Sequence, residues 1–397
     1  MLTAHLLCSY AISRALCSAD LIRGCVCFSF GSAMAMVFLF VILCWIAGNG
    51  AAVAAARAMF VFGDSLVDAG TNVFIAGVPN AANFDPYGET FFHKPTGRFS
   101  NGKIVPDFLA GLLGLALLPP FLKPGSNFSQ GANFASSGSG ISNNPDNDLI
   151  PLNAQVRQFQ EFVKRRKPRE LSIPASIFLL VTGSNDLLGG YLLNGSAQQA
   201  FNPQQYVDLL LGEYQKSLLA LHQSGARKIV ITGIGPLGCT PSLRLLQEIT
   251  NNATGCLEES NQLALAFNTK LAQLFQELTK NLTDAKIILV KPYDFFLDMI
   301  NNGTKYGRIS RKLDRSRDFS FFIAGFEETQ KNCCGGGAYN AMIPCGRDAP
   351  FLCHVPSKYL FWDFHPTHQA ARFISDQVWG GAPAFVEPLN LRALAQI

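Results

Sequence analysis

Short, almost uniformly apolar runs recur along the chain at Ala58–Phe62 (AMFVF), Ser176–Thr182 (SIFLLVT), Lys228–Thr232 (KIVIT) and Lys286–Val290 (KIILV). Runs this short, rich in β-branched and aromatic residues and lacking a polar face, predict strands covered on both sides in a parallel sheet. Longer stretches with apolar positions at helical spacing lie around them, and they predict helices over Lys103–Leu113, Pro203–Ser224, Leu257–Lys280 and His365–Val378. Alternation of strand and helix predicts one open, doubly wound α/β domain rather than two domains. Neither a linker nor an internal repeat divides residues 57–397, which read as a single domain.

The strand ends carry the chemistry. AMFVF runs into Gly63-Asp64-Ser65, SIFLLVT into Gly183-Ser184-Asn185-Asp186, and KIVIT into Gly233-Ile234-Gly235-Pro236. In a parallel sheet these carboxyl ends share one rim, where ligand sites form, so Ser65 and Asn185 are expected side by side. A serine nucleophile needs a base, and His365 has a carboxylate two residues before it, Asp363, and a proline after it at the expected first turn of a helix. His368 is the rival base, one turn further on. His93, His222 and His354 stand among residues that suggest no catalytic partner and read as surface or packing residues. The small-residue run Gly131–Gly140 (GANFASSGSG) reads as a turn able to present a backbone N–H to an oxyanion, and Asn185 can offer its side-chain amide. A Gly-x-Ser-x-Gly elbow is missing, which argues against a standard α/β-hydrolase, and without a phosphate-binding Gly-rich loop ending in Lys-Ser/Thr an NTPase is unsupported.

Composition narrows the classes further. With 48% apolar and 15% charged residues, against a usual charged share of about 25%, the 397-residue chain can bury a large core. The formal net charge of +4 implies neither a nucleic-acid groove nor a polyanionic substrate. Met36–Ala47 (MVFLFVILCWIA), followed by Gly48-Asn49-Gly50 and a small-residue run, reads as the core of a secretory signal cleaved near Ala56. A membrane span would need about 20 apolar residues. A signal starting at Met34 or Met36 is complete without Met1–Ala33, so residues 1–56 read as an N-terminal extension plus signal peptide, with a mis-assigned start codon as one source of the extension.

Six of the 11 cysteines lie beyond residue 56: Cys239, Cys256, Cys333, Cys334, Cys345 and Cys353. An even number in an exported chain suggests three disulfides among the 15 possible pairings. The competing metal site, at Cys333-Cys334 with His354, is disfavoured because adjacent cysteines suit tetrahedral zinc poorly. Sequons at Asn127, Asn194, Asn252, Asn281 and Asn302 agree with an oxidising, glycosylating compartment.

Ser65 in FVFGDSLVDAGTN, PTGRFSNG at 95–102, GANFASSGSGI at 131–141, VTGSNDL at 181–187 and FWDFHPT at 361–367 together resemble the plant GDSL esterase/lipases of the SGNH hydrolase superfamily. The blocks run in order across roughly residues 58–380. The resemblance implies a flavodoxin-like three-layer α/β/α sandwich with a central parallel sheet. It implies Ser65 as nucleophile, His365 as base and Asp363 as its orienting acid, with the Ser65 N–H, the Gly138 N–H and the Asn185 side chain as oxyanion hole. Such enzymes use no metal or organic cofactor. They are typically secreted, here to the cell wall or apoplast, and act on small-molecule, lipid or polyester acyl esters. The six cysteines, including the CCG at 333–335, also resemble the family's pattern.

Two places depart from that pattern. The family's last block is Asp-x-x-His, whereas here only Phe364 separates Asp363 from His365, a change that puts their usual pairing at issue. Residues 308–325 (RISRKLDRSRDFSFFIAG) interrupt a Tyr-Gly to Phe-Glu junction and read as an insertion, either an unspliced or mis-predicted segment or a lid-like loop. The function expected is a secreted serine esterase forming an acyl-enzyme on Ser65. The alternatives are an acyltransferase or polyester synthase using the same nucleophile, and a catalytically impaired cell-wall binding protein. After signal cleavage no stable membrane span and no nucleic-acid partner are expected.

Overall fold

The computed structural model describes residues 56, 58–78, 82–142, 149–165, 171–307 and 325–397. They all belong to one unit, Val53–Ile397. The signal peptide and extension expected over 1–56, Ala56 apart, and the insertion expected at 308–325, Gly325 apart, lie outside the described residues.

Five parallel strands form the sheet: β1 (Met59–Gly63), β2 (Gly131–Asn133), β3 (Ile177–Val181), β4 (Lys228–Thr232) and β5 (Lys286–Val290). Their spatial order is β5-β4-β3-β1-β2, and the short strand Val386–Glu387 adds to β5 in the antiparallel sense. β1 runs in register with both neighbours, Met59 opposite Ile177 on one side and Gly131 on the other. The helices are α1 (Val105–Leu112), α2 (Leu152–Lys164), α3 (Gly195–Ala200), α4 (Pro203–Gln223), α5 (Pro241–Asn251), α6 (Glu258–Asn281), α7 (Pro292–Asn301), α8 (His368–Gly380) and α9 (Leu391–Gln396).

Successive strand residues point to opposite faces, and here both faces are apolar and both are covered. Phe60, Phe62, Phe178, Leu180, Ile229 and Ile231 pack with α2, α4 and α6. Their neighbours Met59, Val61, Ile177, Leu179, Val230 and Ile288 pack with α1, α8 and α9. The molecule is thus the three-layer α/β/α sandwich, and the absence of polar alternation in the strands follows from it. On the first face Phe60, Phe62, Phe134, Phe159 and Phe178 interleave, with the rings of Phe60 and Phe159 edge to face at 4.9 Å.

Three expectations need correction. The run Gly131–Gly140 is not wholly a turn, because Gly131–Asn133 pairs with β1 as the edge strand of the sheet. Glycine and asparagine are poor strand formers, so register with β1 rather than local preference makes this strand. Helix α2 was not among the expected helices, although its Leu152, Val156, Phe159 and Phe162 recur at helical spacing and form one buried stripe. The helix expected from His365 starts at His368 instead. Thr367 caps it by accepting the Ala370 N–H, so His365 stands on the turn before the helix.

All six described cysteines are joined, as Cys239–Cys256, Cys333–Cys353 and Cys334–Cys345. The last two fasten a small region beside the sheet in which Glu328–Asn332 pairs with Tyr359–Phe361 and Cys334–Gly335 with Phe351–Leu352. Among the described residues no helix is long and apolar enough to cross a membrane.

Candidate active site

The turn that carries Ser65, the expected nucleophile, begins at the end of β1, where Gly63 pairs with Val181 of β3. Gly63 has φ of 142°, and a Cβ there would lie 1.8 Å from the Val181 carbonyl oxygen, so only glycine fits. The Gln155 side chain clamps this peptide from α2, its Oε1 accepting the Gly63 N–H at 2.8 Å and its Nε2 donating to the Gly63 carbonyl at 2.9 Å. The chain then turns so that Ser65 projects from the rim with its side chain nearly buried.

Ser65 Oγ lies 2.7 Å from His365 Nε2, and His365 Nδ1 lies 2.8 Å from Asp363 Oδ1. Since a carboxylate only accepts, Nδ1 carries the proton and Nε2 is free to take the serine's. The pairing that the shortened Asp-x-His block put at issue is present. Asp363 Oδ1 also accepts the His365 backbone N–H at 2.8 Å, and the Trp362 N–H donates to the His365 carbonyl. With a single residue between them, aspartate and histidine close an Asx-type turn that folds the imidazole back over the carboxylate.

Asp363 is fully used. Its Oδ2 accepts from the buried Tyr87 hydroxyl at 2.8 Å. Burial pushes the Asp363 carboxyl up, but the His365 charge, the two His365 hydrogen bonds and the Tyr87 hydroxyl outweigh it and hold the group below the usual carboxylate range. The His365 ring itself is packed between Phe99 and Phe364, with ring centroids at 4.5 and 4.3 Å.

The expected oxyanion donors stand on loops strapped to the nucleophile turn. Asp68 Oδ2 accepts both the Ser137 N–H and its hydroxyl, at 2.9 and 2.7 Å, while Asn72 donates to the Ser137 carbonyl. Gly138 follows with φ of 81°. Asn185 Nδ2 donates one hydrogen to the Ser139 carbonyl at 2.8 Å, which leaves its second hydrogen for a ligand. Among the described residues, the Ser65 and Gly138 N–H groups donate to nothing within the chain. Asp186 steadies the next stretch by accepting the Ile141 and Ser142 N–H groups.

The other histidines are elsewhere. His368 Nδ1 accepts the Lys103 N–H at 2.9 Å, and burial, with the Lys103 and Arg372 charges, pushes its pKa down to about 4. His222 pairs with Asp284 at 2.7 Å, and His93 and His354 are exposed. Asp68, Asp186, Asn72 and Gln155 escaped the sequence reading as site supports. Asp68, Asn72 and Asp186 stand inside the motifs quoted for Ser65 and Asn185, where a buried acid or amide beside a turn was the available signal. Tyr87 and Gln155 carried none. Among the described residues no group of three or more His, Cys, Asp or Glu side chains gathers as metal ligands would.

The family described as GDSL-like lipase/acylhydrolase matches residues 59–378. The chain belongs to that family. The Arabidopsis thaliana protein "GDSL esterase/lipase 6" is 35% identical over 350 residues, covering 85% of this chain and 90% of its own. "GDSL esterase/lipase 7" from the same plant is 34% identical over 361 residues, covering 86% and 93%. This member of the GDSL family is therefore a hydrolase of ester bonds.

Proposed function

We propose that the protein is a secreted serine esterase in which Ser65 Oγ attacks the acyl carbon as His365 Nε2 removes its proton. The tetrahedral oxyanion is held by the Ser65 and Gly138 N–H groups and the second Asn185 amide hydrogen. Collapse of that intermediate expels the alcohol, which takes its proton from His365, and leaves an acyl-enzyme. Water, deprotonated by the same imidazole, then releases the acid. Asp363 stays ionised throughout and keeps the ring in one tautomer. What carries this reading is the unbroken relay from Asp363 through His365 to Ser65, at 2.8 and 2.7 Å.

Secretion draws support from the signal-like segment ending near Ala56, the three disulfides and the sequons. Asn127, Asn194, Asn252 and Asn281 are exposed and suited to carry glycans, while the Asn302 amide nitrogen donates to Asp298 at 2.6 Å and is the poorest acceptor. In this reading residues 57–397 form one catalytic domain with 308–325 inserted in it.

Ser65→Ala is expected to abolish hydrolysis of p-nitrophenyl butyrate and labelling by a fluorophosphonate, and retained hydrolysis would defeat the assignment. Asn185→Ala is expected to lower kcat by about 10²–10³.

A further inference from the structure

The bond from Asp363 to His365 hangs on a soft torsion. An aspartate carboxylate turns in a broad, roughly two-fold well about its last bond. Asp363 Oδ1 accepts both the His365 Nδ1 proton and the His365 backbone N–H, each at 2.8 Å, so these two bonds hold one oxygen and leave the plane of the group open. The plane is fixed by the second oxygen. Among the described residues Oδ2 has one partner, the Tyr87 hydroxyl at 2.8 Å, and that hydroxyl has no other.

Tyr87 is itself held firmly. It is buried, with the rings of Phe84, Phe99 and Trp362 edge-on to it at centroid distances of 5.3, 5.7 and 6.2 Å. The residue after it is tied to the PTGRFSNG motif, the Gly88 N–H donating to the Ser100 carbonyl at 3.0 Å. Phe99 of that motif also packs on the His365 ring at 4.5 Å, so one short segment braces both Tyr87 and the imidazole. Burial and the Asp363 charge push the Tyr87 hydroxyl above the ordinary phenol range, so it keeps its proton and donates. Packing alone would need only the ring.

We propose that Tyr87 is a positioning residue of the reaction, its hydroxyl holding the Asp363 carboxylate in the plane that meets His365 Nδ1 and thereby keeping Nε2 aimed at Ser65. The inference rests on the reading of Ser65 as nucleophile and His365 as its base. With Oδ2 released, the carboxylate turns and the imidazole loses its fixed aim. The loss then falls on proton transfer and not on substrate binding.

The test is a cycle of Tyr87→Phe, Asp363→Asn and the double variant, read as kcat and KM for p-nitrophenyl butyrate, with Ser65→Ala beside them. Tyr87→Phe is expected to lower kcat about tenfold, the scale of one hydrogen bond to a charged group, with KM within about twofold. On the Asp363→Asn background the same change is expected to cost less than about twofold, because the bond it removes acts through the carboxylate. A 4-aminophenylalanine at position 87 restores a weaker donor on the same ring and is expected to give about a third of the natural kcat. That variant and its Asp363→Asn counterpart complete the cycle even where the emptied Oδ2 keeps Tyr87→Phe from folding, and melting temperatures establish which proteins are folded. Equal losses on the two backgrounds, a loss carried by KM, or a kcat that neither substitution at 87 changes would overturn the proposal. Turnover retained by Ser65→Ala would sink the nucleophile reading instead. An inactive Ser65→Ala beside a fully active Tyr87→Phe would sink the role of Tyr87 alone.

Discussion

Asp64 and Asp363 are both buried carboxylates beside the Ser65–His365 pair, and their surroundings push them in opposite directions. Asp363 has its oxygens bonded by His365 and Tyr87, while among the described residues Asp64 has one N–H donor, from Leu66, and an Oδ2 with no partner. Burial accordingly drives the Asp64 pKa from 3.8 to about 7, the Leu66 N–H offsetting only part of the effect. A carboxylate raised on folding binds its proton more tightly in the native state, so its contribution is intact below pH 4 and is lost as pH climbs through 7. The displacement corresponds to about 4 kcal/mol. In urea denaturation Asp64→Asn should match the natural protein near pH 4 and be the more stable of the two at pH 8. Parallel pH curves would contradict this. Ser65, Asp363 and His365 were legible in the sequence because each stands in a compact motif. Tyr87 was not, since 276 positions separate it from the carboxylate it holds.

At the scale of elements, the PTGRFSNG motif is explained by what it ties together. Arg98 makes a two-pronged pair with Asp107, Nε to Oδ2 and Nη2 to Oδ1, both 2.9 Å, while its Nη1 donates to the Ala69 carbonyl. Asp107 also accepts the Ile104 N–H at the start of α1, so one buried arginine joins the loop that follows Ser65 to α1. Removing it strands a buried carboxylate, and Arg98→Ala should cost about 3–5 kcal/mol in chemical denaturation. A loss below about 1 kcal/mol would show the pair to be dispensable. The main strands were readable as apolar runs, and β4 and β5 fall where the pattern put them. β2 was not, because three small or polar residues become a strand only against β1, whereas α2 carried a clear amphipathic stripe, Leu152, Val156, Phe159 and Phe162, that the reading passed over.

Across the whole molecule, disulfides and the active site share a wall. Cys333, Cys334, Cys345 and Cys353 pack with Trp362 and Tyr87, and the Cys334 N–H donates to the Trp362 carbonyl just ahead of Asp363. Loops of 11 to 20 residues are closed by the three bonds, each worth about 3 kcal/mol, and their joint loss is comparable with the roughly 5–15 kcal/mol that stabilises a domain. Treatment with dithiothreitol should therefore abolish ester hydrolysis and near-ultraviolet dichroism together, with both recovering on reoxidation. Full activity in the reduced protein would show that the small region does not support Asp363.

The sequence by itself determined the covered strands, their meeting at one rim and the residue types the chemistry requires, because hydrophobic period and short motifs are local properties. Only the tertiary structure decided which cysteines pair, that β2 joins the sheet, and that Asp363 and His365 align across one residue instead of two. Each of these depends on contacts between segments far apart in the chain, or on a turn whose geometry is set by what packs against it, and neither leaves a periodic trace in the residues themselves.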